Sequence, residues 1–541
     1  MSDDPRARRL ARGLLALLAG LALLAGHDPV GWGWAGLVAL VPLLLLARDC
    51  ARDPRPLRAG LAWGTLAGYA FFLPLLWWIQ YVELVALPLL PLTQAVFVGV
   101  FVAVLARWGD RRGRAALAMV AWVGLEWLRS QVPFDGGFPW GLLGYTQATG
   151  GPLLEAARTV GVFGVSLLLV ATALAVEAAL ARGARAWRAN AQPAQRLRPL
   201  PQGEAVGRAV TPPLGAVLAV LALGVLLQGE APEPTGETLD IAAVQGFDDV
   251  SGPRGELSGA EVIAQAYEES TLELARSAEG PPELTVWPES AQQADALTDD
   301  PAAAGLRESL QRSLAALEGG ALLTGMREDG PTEDTFYNTL HALEDGEVQD
   351  RYVKRDLVPF GEYIPYRPLF EWYPALDRVG SDAIPGDEPG AFDLAGAQVG
   401  GIICFEAIYP ATVRDAVDAG AQVLVTATNN SIFGPTVASD QHIATSQLRA
   451  VETGRWVVHA ALTGRSALIA PDGTVHERTD VFTEDLIRAD VPLVEGTTVA
   501  QGIGDAVGWV SALLAGGGVA WLLIEGVRGR RGGPAGVAAP D

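Results

Sequence analysis

The sequence has almost no lysine. Of 39 basic residues in a chain of 541, Lys354 is the single lysine and all others are arginine. Cysteine is nearly as rare: Cys50 and Cys404 can build neither a disulfide framework nor a thiolate metal site. The five histidines show no ligand spacing, so neither a metal nor a cofactor is expected. No basic stripe lies on the part that could fold in water, which argues against a nucleic-acid partner. The 36 prolines and 63 glycines gather in no low-complexity tract, so disorder is not the reading. Against this background Lys354 marks a position where a compact ammonium is needed and a planar guanidinium will not serve. A chance survivor would leave the same mark.

What is abundant is apolar. Half of the chain is hydrophobic, and the net charge of −23 concentrates between Pro232 and Glu495. Runs of spanning length lie near Leu10–Gly26, Gly31–Ala47, Ala59–Ile79, Val82–Ala106, Ala115–Leu128, Val160–Ala181, Ala209–Leu227 and Ala506–Val527. They predict about eight membrane helices, the fifth the weakest because it is short and carries Glu126. Arginines ahead of the first run resemble a signal peptide, but the spans that follow favour a retained anchor. Arginine clusters occupy every second loop, which places those loops and both termini in the cytoplasm. The acidic region between the last two spans then lies outside. The expected division is a membrane bundle of seven helices over 1–229, a soluble domain over 230–500, and a final helix with a tail over 501–541. The outer loop Phe138–Gln147, which holds Phe138, Trp140 and Tyr145, reads either as an interfacial aromatic belt or as the wall of a lipid cavity.

From Thr238 the texture changes to short apolar runs that alternate with helical stretches. Leu239–Val244, Leu284–Trp287, Ala321–Thr324, Val348–Val353, Gln398–Cys404, Ala421–Thr426 and Trp456–Leu462 read as strands. Gly259–Ala278, Pro301–Leu317, Tyr409–Asp418 and Ser439–Thr453 read as helices, giving a layered α/β domain. Glu289, Lys354 and Cys404 each sit where such a strand ends, so one sheet edge could bring a base, a cation and a thiol together. Taken one at a time they are a surface acid, an ion-pair partner and, most often for a free cysteine, a packed core residue.

Three segments carry a resemblance. WPES (Trp287–Ser290), YVKRDLVPFGEYIP (Tyr352–Pro365) and GGIICFEAIYP (Gly400–Pro410) are similar to the Glu, Lys and Cys motifs of the nitrilase superfamily, in that order. The long form of the second motif, TNNSIFG (Thr428–Gly434), QHIATSQLRAVETGR (Gln441–Arg455) and FPWGLLGY (Phe138–Tyr145) resemble the apolipoprotein N-acyltransferase family over nearly the whole chain. The resemblance implies a polytopic α-helical bundle carrying an extracytoplasmic αββα nitrilase-like domain in the bacterial plasma membrane. Phe405 stands where relatives often have Tyr, Ile432 where Trp is common, and QGFDDV (Gln245–Val250) where QGN is usual.

By this resemblance Glu289 deprotonates Cys404, and the thiolate takes a fatty acyl group from a phospholipid as a thioester. Lys354 steadies the oxyanion. The α-amine of a diacylglyceryl-cysteine at the N-terminus of an apolipoprotein then accepts the acyl group. Glu362 and Glu406 are expected to orient Lys354 and the site, with Phe405 and Asn429 in support. Both substrates carry fatty chains, so the thiol should open to the bilayer. The aromatic segment Phe360–Trp372, with Phe360, Tyr363, Tyr366 and Trp372, reads as an arm at the lipid interface. Two other functions compete: a membrane-tethered amidase or nitrilase that hydrolyses C–N bonds, and a non-catalytic lipoprotein-binding scaffold.

Overall fold

The computed structural model describes residues 5–132, 137–190, 202–246, 259–369 and 380–531. Its first part is helical: α1 (Pro5–Leu24), α2 (Val41–Cys50), α3 (Pro56–Leu75), the single turn α4 (Ile79–Val82), α5 (Ala86–Trp108), α6 (Arg114–Arg129), α7 (Ala157–Asn190) and α8 (Gln202–Leu226). Five helical stretches, residues 33–50, 86–108, 154–189, 203–226 and 506–525, are long and apolar enough to cross a membrane. The runs expected as the first, third and fifth spans are helical but do not meet that measure. Arginines crowd α1, Arg58 and three glycines dilute α3, and α6 has only 16 residues. The windows 203–226 and 506–525 are 11% and 17% buried, so their leucines stand on the outside of the fold. Apolar surface of that extent calls for hydrocarbon around it.

Helix pairing in the bundle rests on small residues. On α3, Gly60, Gly64 and Gly68 recur every fourth residue against Ala103, Val102, Gly99 and Ala95 of α5. A Cβ on Gly60 would come within 2.6 Å of the Ala103 backbone, so only glycine permits this approach.

The acidic part forms two sheets. One runs β13–β1–β2–β3–β4–β5, with β1 (Pro234–Gln245), β2 (Leu284–Gln292), β3 (Ala321–Asp329), β4 (Thr335–Glu344), β5 (Glu347–Val353) and β13 (Asp485–Val494). A short β6 (Asp382–Ala383) pairs with β4. The other runs β12–β11–β10–β9–β8–β7, with β7 (Ala391–Leu394), β8 (Ala397–Ile403), β9 (Val423–Thr428), β10 (Val457–Ala461), β11 (Ala467–Ile469) and β12 (Val475–Arg478). Period-two alternation assigns the faces. Leu239, Ile241, Leu284, Val286 and Leu323 meet Val399, Ile403, Val423 and Val425 between the sheets. Val244, Trp287 and Leu322 point outward onto α9 (Gly259–Ala275) and α10 (Ala304–Ala316). Ile402, Leu424 and Val457 point outward onto α11 (Pro410–Asp418) and α12 (Ala438–Thr453). The layers are therefore helix, sheet, sheet, helix.

After β13 the chain makes the turn α13 (Val499–Ile503) and returns as α14 (Ala506–Arg531), which packs on α6 where Gly124 admits the Ala512 backbone. A second link is polar. Helix α7 breaks at Gly161 (φ 65°), and Glu452 of α12 accepts the N–H of Val162 just beyond the break at 2.5 Å.

Candidate active site

A bulge in one strand and the ends of two others deliver the site. On β2 the regular pairing with β3 lapses between Trp287 and Gln292, where Pro288 has no N–H to give and Ser290 takes φ 60°. Gly325 of β3 makes room for this bulge, since a Cβ there would lie 2.5 Å from Glu289 Cα. Lys354 follows β5 and is tied to β4 by its N–H to the Asn338 carbonyl, 2.9 Å. Cys404 follows β8 at φ 52°, a left-handed conformation that is strained for a side chain with a Cβ.

These three side chains converge. Lys354 Nζ donates to Glu289 Oε1 (3.1 Å) and Glu362 Oε1 (2.8 Å). Asn338 Nδ2 donates to the same two oxygens at 2.7 and 2.8 Å. The Asn429 N–H holds Glu289 Oε2 at 2.7 Å, and the Cys404 thiol neighbours this carboxylate. Lys354 is 1% exposed, Glu289 5% and Cys404 7%, so the cluster is screened from water.

The electrostatics follow from burial and pairing. Burial alone would raise the pKa of Glu289, but Lys354, the Asn338 amide and the Asn429 N–H outweigh it and hold it below the ordinary carboxylate value. Burial would likewise lower Lys354, yet Glu289 and Glu362 keep it well above its usual value. The Cys404 thiol is pushed far up, first by burial and then by the Glu289 charge. At rest the proton sits on sulfur beside an ionised carboxylate and an ammonium.

Glu362 lies where the resemblance put it, on Lys354, and its other oxygen accepts the Val358 N–H at 2.7 Å. Glu406 does not hydrogen-bond Lys354. It braces the backbone instead, accepting from Ile403 N (2.8 Å), Arg355 N (2.7 Å), Asp356 N (3.2 Å) and the Tyr352 hydroxyl (2.7 Å). It thereby ties the segment after Lys354 to the turn that holds Cys404. Burial and the Asp356 charge lift its pKa to about 7.

Two family models match the chain: the apolipoprotein N-acyltransferase N-terminal domain over residues 19–175, and carbon-nitrogen hydrolase over residues 258–501. The apolipoprotein N-acyltransferase of Geobacter metallireducens is 32% identical over 521 residues, 92% of each chain. This chain belongs to the apolipoprotein N-acyltransferase family. The apolipoprotein N-acyltransferase of Mycolicibacterium smegmatis is also 32% identical, over 96% of this chain and 87% of its own. An amidase from Nesterenkonia sp. overlays at 19% identity with a TM-score of 0.34, covering 49% of this chain and 93% of the amidase.

In this member of the apolipoprotein N-acyltransferase family, Phe138, Trp140 and Tyr145 lie inside the fold and not on its surface. All three are buried between the bundle and the sandwich, which corrects the belt reading. Trp140 stacks on Phe405 (6.0 Å between centroids) and donates to Gln441 Oε1 at 2.8 Å, while the Tyr145 hydroxyl donates to the Ile408 carbonyl at 3.2 Å. The loop is held from below by α6. Arg129 donates to the carbonyls of Phe138 and Trp140, both at 2.8 Å, and Glu126 accepts the Leu143 N–H at 2.7 Å. This is the work of Glu126 in the weakest predicted span and of Arg129 just after it. Phe405 is enclosed by Phe138, Trp140 and Tyr409. Asn429 contributes its backbone N–H to the site, and its side chain accepts from Ser431.

Of the aromatic arm, Phe360 and Tyr363 are half-buried and Tyr366 is 67% exposed, whereas Trp372 lies outside the described residues. Sequence reasoning missed Asn338, because β4 was not read as a strand. The one signal for it is a lone amide inside the apolar alternation FYNTLHAL.

Proposed function

We propose that this chain transfers a fatty acyl group from a phospholipid to the α-amine of the N-terminal diacylglyceryl-cysteine of an apolipoprotein, through a thioester on Cys404. The observation that carries the reading is the meeting of Glu289, Lys354 and Cys404 in a site screened from water. Glu289 takes the thiol proton as the sulfur attacks the ester carbonyl. Lys354 and the N–H of Phe405 hold the oxyanion; losing one such donor typically costs about 2.7–4 kcal/mol. Collapse breaks the C–O bond, and Glu289 returns the proton to the departing lysophospholipid. In the second half the amine attacks the thioester, Glu289 accepts its proton, and the thiolate leaves and is reprotonated. Burial keeps water from the thioester, which favours transfer over the hydrolysis an amidase would perform.

The wider arrangement belongs to the same proposal. The helices span the bacterial plasma membrane with both termini cytoplasmic, about eight crossings in all. The bundle covers 1–229, the catalytic domain 230–500 on the outer side, and the last span with its tail 501–541. Phe360, Tyr363 and Tyr366 belong to an arm at the lipid interface where both substrates enter.

Incubation with an alkyne-tagged phospholipid tests this. The native protein is expected to carry the tag on Cys404 and pass it to a diacylated lipopeptide, and Cys404→Ala to do neither. Free fatty acid without transfer would establish the hydrolase instead.

A further inference from the structure

Beside Cys404 lies a buried polar chain that the acyl-transfer scheme leaves unused. His442, on α12, is 1% exposed. Its Nε2 lies 3.0 Å from the carbonyl oxygen of Cys404, and its Nδ1 3.3 Å from Oδ1 of Asn430. That Oδ1 is 2.9 Å from Thr428 Oγ1, and the Thr428 hydroxyl neighbours the Cys404 thiol. The ring begins on the cysteine carbonyl and ends on the cysteine sulfur.

Counting protons gives the ring a direction. A carbonyl oxygen only accepts, so a hydrogen bond to Cys404 requires the proton on His442 Nε2. Burial lowers the pKa of His442 to about 4, so the ring is neutral and Nδ1 is a bare acceptor. It cannot bond to Asn430 Oδ1, which is also an acceptor. Meanwhile Asn430 Nδ2 is buried with no partner among the described residues. The two ends of an amide are told apart by their hydrogen bonds, and here those bonds require the nitrogen on the inner side. With the amide turned over, Nδ2 donates one proton to His442 Nδ1 and the other to Thr428 Oγ1. The Thr428 hydroxyl proton, no longer given to Asn430, is free for the cysteine sulfur.

We propose that His442 is a positioning residue for the nucleophile: it holds the Cys404 backbone in its left-handed conformation and, through Asn430, turns the Thr428 hydroxyl onto the sulfur. The proposal rests on Cys404 being the nucleophile. Its chemistry is a second donor to the thiolate besides Lys354, which stabilises the anion as the proton leaves.

The test uses the detergent-purified full chain and two readouts. One is the rate at which iodoacetamide alkylates Cys404, followed on its own peptide so that Cys50 does not interfere. The other is the rate of acyl-Cys404 formation at varied phospholipid concentration. His442→Leu is expected to slow both by about 10-fold while the half-saturating phospholipid concentration stays put. His442→Gln, whose amide N–H can reach the same carbonyl, is expected to recover most of the rate. Equal rates in the Leu and Gln variants, or a wild-type rate in Leu, would overturn the proposal. Should His442→Leu not fold, Thr428→Val against Thr428→Ser decides it: alkylation slowed only in Val supports the ring, and a wild-type rate in Val refutes it. Failure of the acyl-transfer reading looks different, because the wild type itself would then take no acyl group while the alkylation series stood.

Discussion

Replacing Lys354 with Met removes one charge and keeps nearly the same length. The ammonium sits 3.1 Å from Glu289 and 2.8 Å from Glu362, and both carboxylates also share the Asn338 amide. Without it two acids face each other inside a buried site, and one must take up a proton. Glu289, now held below the ordinary value, would rise and cease to be a base at neutral pH. Two costs follow. Breaking a buried ion pair destabilises by about 3–5 kcal/mol, a large part of the roughly 5–15 kcal/mol that holds a domain folded. Loss of the oxyanion donor removes about 2.7–4 kcal/mol from the transition state, and loss of the base compounds it. Acyl-Cys404 should therefore form at least about 1,000-fold more slowly in Lys354→Met. The assay is intact-protein mass spectrometry of a single turnover with phospholipid, on protein whose melting curve shows it folded. Acylation within about 10-fold of wild type would refute the reasoning. Lys354→Arg sharpens the test, because a guanidinium is too broad for a site that is 1% exposed. Retained activity in that variant would make the lone lysine an accident of composition.

Three further outcomes are expected. Because the pKa of Glu289 is depressed on folding, its stabilisation is present above the ordinary carboxylate range and is lost as pH falls through the depressed value. Melting temperature measured from neutral to acid pH should fall less steeply in Glu289→Gln than in wild type, and matching slopes would contradict the assignment. Glu406→Gln keeps one acceptor oxygen for Arg355 and Asp356 but turns its N–H2 end toward the Ile403 N–H, at about 1–3 kcal/mol for the group left unpaired. Thermal unfolding should drop by several degrees and acylation should fall with it; an unchanged melting curve would show that the brace is dispensable. In the bundle, Gly64→Leu should prevent folding, since even a Cβ would meet Val102 at 2.7 Å. Gly207→Ala on α8, with nothing within 4 Å, should be neutral or slightly stabilising by size-exclusion and melting assays.

Much of the architecture is a matter of local pattern and so was legible in the chain. Continuous apolar runs and period-two strands depend only on neighbouring residues, and they place α5, β8 and α12, and the starts of α7 and β2, within a few positions. Glu289, Lys354 and Cys404 stood out because each is a polar residue that ends an apolar run. Strands whose pattern is mixed, such as β4 and β12, were invisible, since their stability comes from partners distant in sequence. The same holds for everything that depends on what lies opposite. Only the fold decides that Phe138, Trp140 and Tyr145 are buried, with Phe405 and Gln441 among their partners, and are not on the outer surface. Only the fold sets Asn338 between two carboxylates, and His442 beneath the nucleophile's carbonyl. A sequence specifies which groups are available and which elements carry them. The distances at which those groups meet, and hence where their protons rest, are properties of the packed chain.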